Sequence, residues 1–300
     1  MRSLDAYEAI VRDAALFDER NFEGRLEAIE LLELAVLQAT AEVAGPGSPA
    51  AGADWGRDSQ AAAANRGLTR GRVERLIAAL EAVDERFFAR LRAEIAAGRH
   101  RGRDFEELLL QHCVVEDGPG YDMLDVFVNR LCSFLPMPVP TRVLEAEMVD
   151  FHKTPARVVL QLARRVVAED VFVDLGAGLG QVAMLVHLLT GARTRGVEIE
   201  PVFCGYARQC AAELRLADVA FCEGDARFAD YSQGTVFFMY TPFRGELLET
   251  VFGLLRREAL SRSFMLVTFG PCSAYAARQD WLRVEEYPGR GDGLCFFRAG

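Results

Sequence analysis

The stretch Val171-Phe-Val-Asp174-Leu-Gly176-Ala-Gly178-Leu-Gly180-Gln181 limits what this chain can fold into more than any other part of it. A short β-branched and aromatic run reaches an aspartate, glycines follow at alternate positions, and a helical apolar pattern starts directly after them. Glycine tolerates left-handed backbone and lets a ligand come close to main-chain N–H groups. The run therefore reads as a strand, a tight loop and the N-terminus of a helix. Units of this kind build sheets covered by helices.

The residues downstream repeat the alternation. Strands are expected at 171–174, 194–199, 219–223, 235–240, 263–269, 282–287 and 293–298, with helices near 179–190, 200–215 and 244–260. The turn from Pro288 to Gly293, Pro-Gly-Arg-Gly-Asp-Gly, is short enough to make the last two strands an antiparallel hairpin. The expected fold is α/β: a doubly wound, mostly parallel seven-stranded sheet with an all-α N-terminal domain.

That N-terminal half carries no strand signal. Apolar spacing predicts helices over 4–17, 21–43 and 68–98, the last with Thr69 as its N-cap, and two more near 103–113 and 121–133. Residues 45–66, rich in Gly, Pro, Ala and Ser, read as a loop with the composition of a mobile segment. The prolines from Pro136 to Pro140 punctuate the chain and set the expected boundary between a helical domain, 1–140, and a sheet domain, 141–300.

Asp174 decides between two uses of the glycine loop. A dinucleotide fold would place the third glycine of GxGxxG at Gln181, and a carboxylate at the strand end would repel its pyrophosphate. Asp174 suits an ammonium group instead, as on the methionine end of S-adenosylmethionine. Glu198 ends the second strand about 20 residues further on, where a carboxylate can accept both hydroxyls of a ribose. Asp225 ends the third strand, where it can accept from an adenine amino group while the next backbone N–H, at Ala226, donates to the ring. Each carboxylate alone has a commoner explanation as a cap, turn or solvated loop residue. Three in order along the carboxyl edge of the sheet outline a nucleoside site.

These motifs resemble the class I S-adenosylmethionine-dependent methyltransferases over roughly residues 150–300. Phe-Val-Asp174-Leu-Gly-Ala-Gly-Leu-Gly-Gln-Val followed by Gly196-Val-Glu198-Ile-Glu200 looks most like the non-SET histone-lysine type named for disruption of telomeric silencing, and its bacterial relatives. The resemblance implies S-adenosylmethionine as cofactor, with Asp174, Gly176, Gly178, Gly180 and Gln181 around its methionine part. It implies Glu198 on the ribose and Asp225 with Ala226 on the adenine. Phe151-His152-Lys153-Thr154-Pro155 matches the family's threonine loop, which makes Thr154 the partner of the cofactor carboxylate. Tyr240-Thr241-Pro242-Phe243 stands where the family has Asn-Asn-Phe beside the methyl group. Tyr240 and Thr241 are thus candidate catalytic residues, and Phe151, Pro242 and Phe243 candidate substrate contacts. The missing asparagines weaken the case for a lysine acceptor.

Two residues of the threonine loop stand out by themselves. Lys153 is the only lysine among 34 basic residues. Its compact charge beside Thr154 can pair a cofactor carboxylate. His152 is a candidate base, although a loop histidine is more often solvated. Methyl transfer from a sulfonium needs alignment and exclusion of water more than a strong base. The expected activity is methyl transfer to an acceptor that is a protein lysine, another amine or a small molecule; the alternative is a non-catalytic protein that binds S-adenosylmethionine.

Composition excludes several other classes. With 51% hydrophobic and 26% charged residues the chain is globular rather than disordered. It has no apolar run long enough to span a membrane and no signal-peptide pattern. Seven scattered cysteines without a CxxC pair argue against a disulfide framework or metal site and for a reducing cytoplasm. The scarcity of lysine beside abundant Arg and Ala suggests a bacterial, GC-rich coding sequence. A net charge of −10, of which −8 falls in residues 1–140, makes a broad nucleic-acid-binding face unexpected and would favour a basic partner. The basic run Arg90, Arg92, Arg99, His100, Arg101 and Arg103 is read as a solvated helix end.

Overall fold

In the computed structural model the described residues are 3–41, 56–113, 118, 120–288 and 293–300. The turn expected at 289–292 and the part of the expected loop at 45–55 lie outside them. The chain divides into two compact units, Met1–Arg90 and Leu91–Gly300.

The first unit is helical. Helix α1 (Ser3–Arg12) ends where Asp13 accepts a hydrogen bond from the Ala15 N–H at 2.9 Å, starting a short 3-10 turn, Ala14–Phe17. The single helix expected over 4–17 is therefore broken at a capping aspartate. Helix α2 (Phe22–Ala41) and the body of α3 (Gly56–Ala96) bury Ile10, Leu16, Ile29, Leu32, Val73 and Leu80 together. Helix α3 begins at Gly56 rather than 68, so Thr69 is interior and not an N-cap. The alanines at 61–64 have the highest helix propensity of any residue and outweigh the glycine at 67. Arg25 is fully buried in this unit. Its guanidinium donates to Asp84 Oδ1 at 2.7 Å and to the carbonyls of Leu16, Asp18 and Glu19. A buried charge is tolerable only when paired and saturated in this way.

The second unit holds the sheet. Seven strands run β1 (Val171–Leu175), β2 (Arg193–Glu198), β3 (Val219–Glu223), β4 (Val236–Tyr240), β5 (Phe264–Phe269), β6 (Leu282–Glu286) and β7 (Cys295–Ala299). Their spatial order is β3-β2-β1-β4-β5-β7-β6. The first five are parallel; β7 pairs antiparallel with both β5 and β6. This is the doubly wound, mostly parallel sheet with a terminal hairpin expected above. Strand β4 (Val-Phe-Phe-Met-Tyr) and β5 (Phe-Met-Leu-Val-Thr-Phe) are nearly all apolar because both their faces are covered. Phe237, Phe238, Phe264 and Phe269 are buried there as expected.

Helices α7 (Gln181–Thr190), α8 (Pro201–Glu213) and α9 (Gly245–Ala259) fill the expected connections. Two short helices, α6 (Ala156–Ala163) and α10 (Cys272–Ala276), were not expected. Helix α7 is apolar on every side. One side faces the strands and the other meets α4 (Arg103–His112), α5 (Met123–Cys132) and α6. That packing corrects the expected boundary at 140: residues 91–140 belong with the sheet. Leu124, Phe127, Val128 and Leu131 of α5 are fully buried, α5 packing on α6 and α7, and Gly102 N–H bonds Leu188 O at 2.8 Å. Within this unit, most of the basic run is engaged by its own surroundings. Arg92 donates to Arg130 O, Arg99 and His100 reach Glu94, and Arg103 reaches Glu107.

All seven cysteines are free, and Cys204 and Cys210 are buried packing residues of α8. Among the described residues no helix is long and apolar enough to cross a membrane, and no cluster of three or more His, Cys, Asp or Glu residues could hold a metal.

Candidate functional site

The carboxyl edge of the sheet reverses strand order between β1 and β4, which opens a crevice there. A cavity of about 560 Å³ lies at that edge, wholly within the second unit. It collects almost every site residue singled out in the sequence: Phe151, His152, Lys153, Thr154, Asp174, Gly176, Gln181, Glu198, Asp225, Ala226, Tyr240, Thr241, Pro242 and Phe243 all line it.

The glycine loop has the left-handed backbone that its sequence demands. Gly176, Gly178 and Gly180 have φ of 84°, 52° and 79°. At Gly180 a side chain would also collide with Phe221 and Ala207 at 2.5–2.7 Å, so the loop can meet the β2–β3 side of the sheet only as glycine.

Asp174 and Gln181 flank this loop and share one property. Asp174 is 3% exposed, and its Oδ2 has no hydrogen-bond partner; Gln181 is 7% exposed, and neither amide atom has one. Burial, followed by the nearby Glu198 carboxylate, pushes the Asp174 carboxyl up to about 8. An unpartnered buried polar atom is costly, and native structures rarely keep one without a ligand or water to satisfy it. Asp174 offers an acceptor and a latent negative charge; Gln181 offers a donor and an acceptor. Together they fit the ammonium and polar end of an amino acid.

Glu198 sits differently. Its Oε2 accepts from the Gly178 N–H at 2.7 Å and its Oε1 from the Glu200 N–H at 2.8 Å. Burial raises its affinity for a proton, against the pull of those N–H bonds. The carboxylate is thus pinned beneath the glycine loop, with lone pairs left for ribose hydroxyls. Asp225 caps the 3-10 turn Ala226–Phe228, and Arg227 grips both its oxygens. Burial works against ionisation of Asp225, but the Arg227 bonds outweigh it and hold the carboxyl below the usual range. Arg227 also bonds Glu145 at 2.7 Å. An adenine amino group would therefore share Asp225 with Arg227.

Residues 141–155 form a strap across the site. Thr141 Oγ1 and the Arg142 N–H both bond the buried Glu200 carboxylate at 2.8 Å. Midway, Met148 and Phe243 form an antiparallel bridge, and Val149 N–H donates to Pro242 O at 3.0 Å. The Glu147 carboxylate accepts from Glu246 N–H and Leu247 N–H at 3.1 and 2.8 Å, capping α9. At the far end the strap is tied to α5: Tyr121 Oη donates to Lys153 O at 2.7 Å, Lys153 Nζ to Asn129 Oδ1 at 2.8 Å, and Ala156 N–H to Asp125 Oδ1 at 2.8 Å. Thr154 is buried on the cavity wall, and the Phe151 ring lies on Gly178, where a side chain would meet it at 2.2 Å.

The candidate catalytic residues fare unequally. Tyr240 is half-buried at the end of β4, its ring 4.7 Å from that of Phe269, and it stays available to the cavity. His152 is exposed, with Nδ1 2.9 Å from Asp150 O, and pairs with no carboxylate among the described residues. The Thr241 hydroxyl is committed elsewhere: it donates to Phe269 O at 3.0 Å and accepts from Cys272 N–H at 3.1 Å. A φ of 38° at a β-branched residue is strained backbone, and those two bonds hold it. Phe243 is 5% exposed and packs in the core with Leu247 and Leu248, which makes it scaffold rather than a substrate contact. Pro242 packs over Gly176.

The sequence reading missed Glu200, Glu147 and Arg227, which fasten the strap and Asp225, and Tyr121, just before α5, and Asn129 on α5, which reach Lys153. Glu200 was adjacent to a recognised motif. Glu147, Tyr121 and Asn129 carried no local signal, because their partners lie 24 to 100 residues away, and Arg227 went unread although Asp225 is two residues from it.

No family model and no curated protein matches the sequence. Solved structures do resemble part of it. An RNA methyltransferase from Salinibacter ruber, in complex with S-adenosyl-L-homocysteine, is 31% identical over 49% of this chain and 92% of its own, with a TM-score of 0.39. Precorrin-6y C5,15-methyltransferase from Geobacter metallireducens GS-15 is 17% identical over 49% of this chain and 89% of its own, with a TM-score of 0.39. The mitomycin 7-O-methyltransferase MmcR is 18% identical over 48% of this chain and 53% of its own, with a TM-score of 0.38.

Proposed function

We propose that this chain is an S-adenosylmethionine-dependent methyltransferase whose cofactor lies in the cavity at the carboxyl edge of the sheet. The observation that carries the reading is the buried, unpartnered pair Asp174 and Gln181 at the glycine loop. In this reading Asp174 receives the cofactor ammonium, Gln181 a polar atom of the same end, and Glu198 the ribose hydroxyls. Asp225 and Ala226 border the adenine, while Lys153 and Thr154 face the carboxylate.

S-adenosylmethionine supplies a methyl group already activated by a positively charged sulfur. The protein's share is to align the acceptor and keep water out. The strap performs the second task, since its fastenings at Glu200, Pro242, α9 and α5 close it over the site. Tyr240 is the hydroxyl best placed to orient an acceptor. Among the described residues no carboxylate is hydrogen-bonded to Tyr240 as a base for an ammonium acceptor, so in this reading an acceptor amine arrives neutral.

The acceptor is a protein lysine or other amine in one reading and a small molecule in the other. The Tyr240-Thr241 pair in place of two asparagines, and the fastened strap, favour the small molecule; the acidic first half favours the amine. The histone-lysine subtype is not carried over, because the Asn-Asn segment that would support it is absent. The low likeness to an RNA methyltransferase adds RNA to the acceptors worth testing. Incubating the protein with labelled methyl donor and cell extract, fractionated into protein, RNA and small molecules, identifies the class. Uptake into one fraction that is lost in Asp174→Ala supports the reading. Cofactor binding without any uptake would instead indicate a non-catalytic binding protein.

A further inference from the structure

Lys153 is half-buried, lines the cavity and forms no ion pair with any described residue. Its ammonium is held by a neutral group, the side-chain amide oxygen of Asn129, at 2.8 Å. The carboxylate that acts on it electrostatically, Asp125, is occupied: Ala156 N–H bonds its Oδ1 and Asp122 N–H its Oδ2, at 2.8 and 2.9 Å. Asp125 and Asn129 are one helical turn apart on α5. The helix therefore offers the lysine a carboxylate that is already committed and an amide that is not.

An amide acceptor does something a carboxylate would not. It fixes the direction of the ammonium without placing a second carboxylate, beyond Asp125, against it. A half-buried lysine normally finds a carboxylate, because an unpaired charge away from water is costly. The same cavity is lined by the acidic groups Asp174 and Glu198, so a zwitterionic ligand meets both negative and positive charge there.

Resting on the proposed cofactor reading, we infer that Asn129 is a positioning residue for an anion subsite: it aims Lys153 through a neutral bond, so that the ammonium pairs with the ligand carboxylate rather than with a protein carboxylate in direct contact. Tyr121 supports the same subsite by fixing the Lys153 carbonyl. The amide at position 129 then sets the preference for a ligand that has a carboxylate over one that lacks it.

The test compares two ligands by titration calorimetry on the full chain. S-adenosylhomocysteine carries the amino-acid end; 5′-methylthioadenosine keeps the adenosine and sulfur but lacks that end. Wild type should bind S-adenosylhomocysteine the more tightly. In Asn129→Asp the new carboxylate neutralises Lys153, and affinity for S-adenosylhomocysteine should fall about tenfold or more, the scale of one charge-assisted hydrogen bond, while methylthioadenosine affinity stays level. Asn129→Gln, which keeps the amide, should retain more of the discrimination than Asn129→Asp.

If Asn129 merely anchors the loop, Asp would anchor the lysine as well or better, and unchanged or tighter binding of S-adenosylhomocysteine would overturn the inference. So would equal losses for both ligands, which indicate a structural role. Equal affinity of wild type for the two ligands would remove the anion subsite yet leave the methyltransferase reading intact. Binding of neither ligand by folded wild type would defeat that reading itself.

Discussion

Asp174 concentrates the chemistry of the site in one carboxyl group. Folded, it holds its proton up to about pH 8, whereas an unfolded chain releases the same proton at about pH 4. The folded state binds more protons between those values, so this group's contribution to stability is present at low pH and is lost as pH rises through that window. Two results follow for wild type and Asp174→Asn. At pH 8 the variant should unfold at higher denaturant concentration than wild type, because its amide carries no buried charge, and at pH 5 the difference should shrink. Binding of an ammonium ligand needs the ionised form, so it should release a proton near pH 7, and affinity should rise from pH 6 to 8. Calorimetry in two buffers of different ionisation enthalpy measures that proton. Asp174 was legible in the sequence because it is the first of three acidic strand ends, with Glu198 and Asp225, in order along the sheet edge. Its partnerless burial was not, since that depends on Gln181, Glu198 and the strap closing round it.

At the scale of elements, the strap and the glycine loop place the site. The loop's helical partner was readable from Gly176, Gly178 and Gly180, and the central strands β1, β4 and β5 were readable from their apolar runs. Helix α6 was not, because eight residues are too few to tell a short apolar helix from a strand by pattern alone. The start of α3 was obscured by glycine and proline around 45–56, whose turn signals masked the alanine run. Gly180→Ala would drive a methyl group into Phe221 and Ala207; thermal unfolding should show a loss of about 1–3 kcal/mol, typical of overpacking. Glu147→Ala removes the carboxylate that caps α9 and pins the strap. The expected cost is about 1 kcal/mol, the usual worth of a helix cap, with weaker cofactor binding in the same variant. Unchanged affinity in Glu147→Ala would mean that the strap holds without that fastening.

For the whole molecule, the division at Arg90 rather than 140 shows what a proline-rich punctuation signal measures. Pro136, Pro138 and Pro140 do end a helical stretch, but α4 and α5 before them have apolar faces that only α6 and α7 can cover. Chain direction was visible locally; the destination of those faces was not. The first unit has its own internal weak point. Replacing Arg25 by alanine leaves Asp84 and three carbonyls without its guanidinium, and denaturant unfolding should register a loss of about 3–5 kcal/mol, the cost of breaking a buried ion pair. The account as a whole stands on the cavity at the carboxyl edge being a site for S-adenosylmethionine. Its most direct test is titration calorimetry of S-adenosylhomocysteine against wild type, Asp174→Ala and Glu198→Ala, with NAD as the competing ligand. The account predicts one-to-one binding of S-adenosylhomocysteine to wild type, its loss in both variants, and no uptake of NAD. Folded wild type that ignores S-adenosylhomocysteine, or binds NAD in its place, would contradict it.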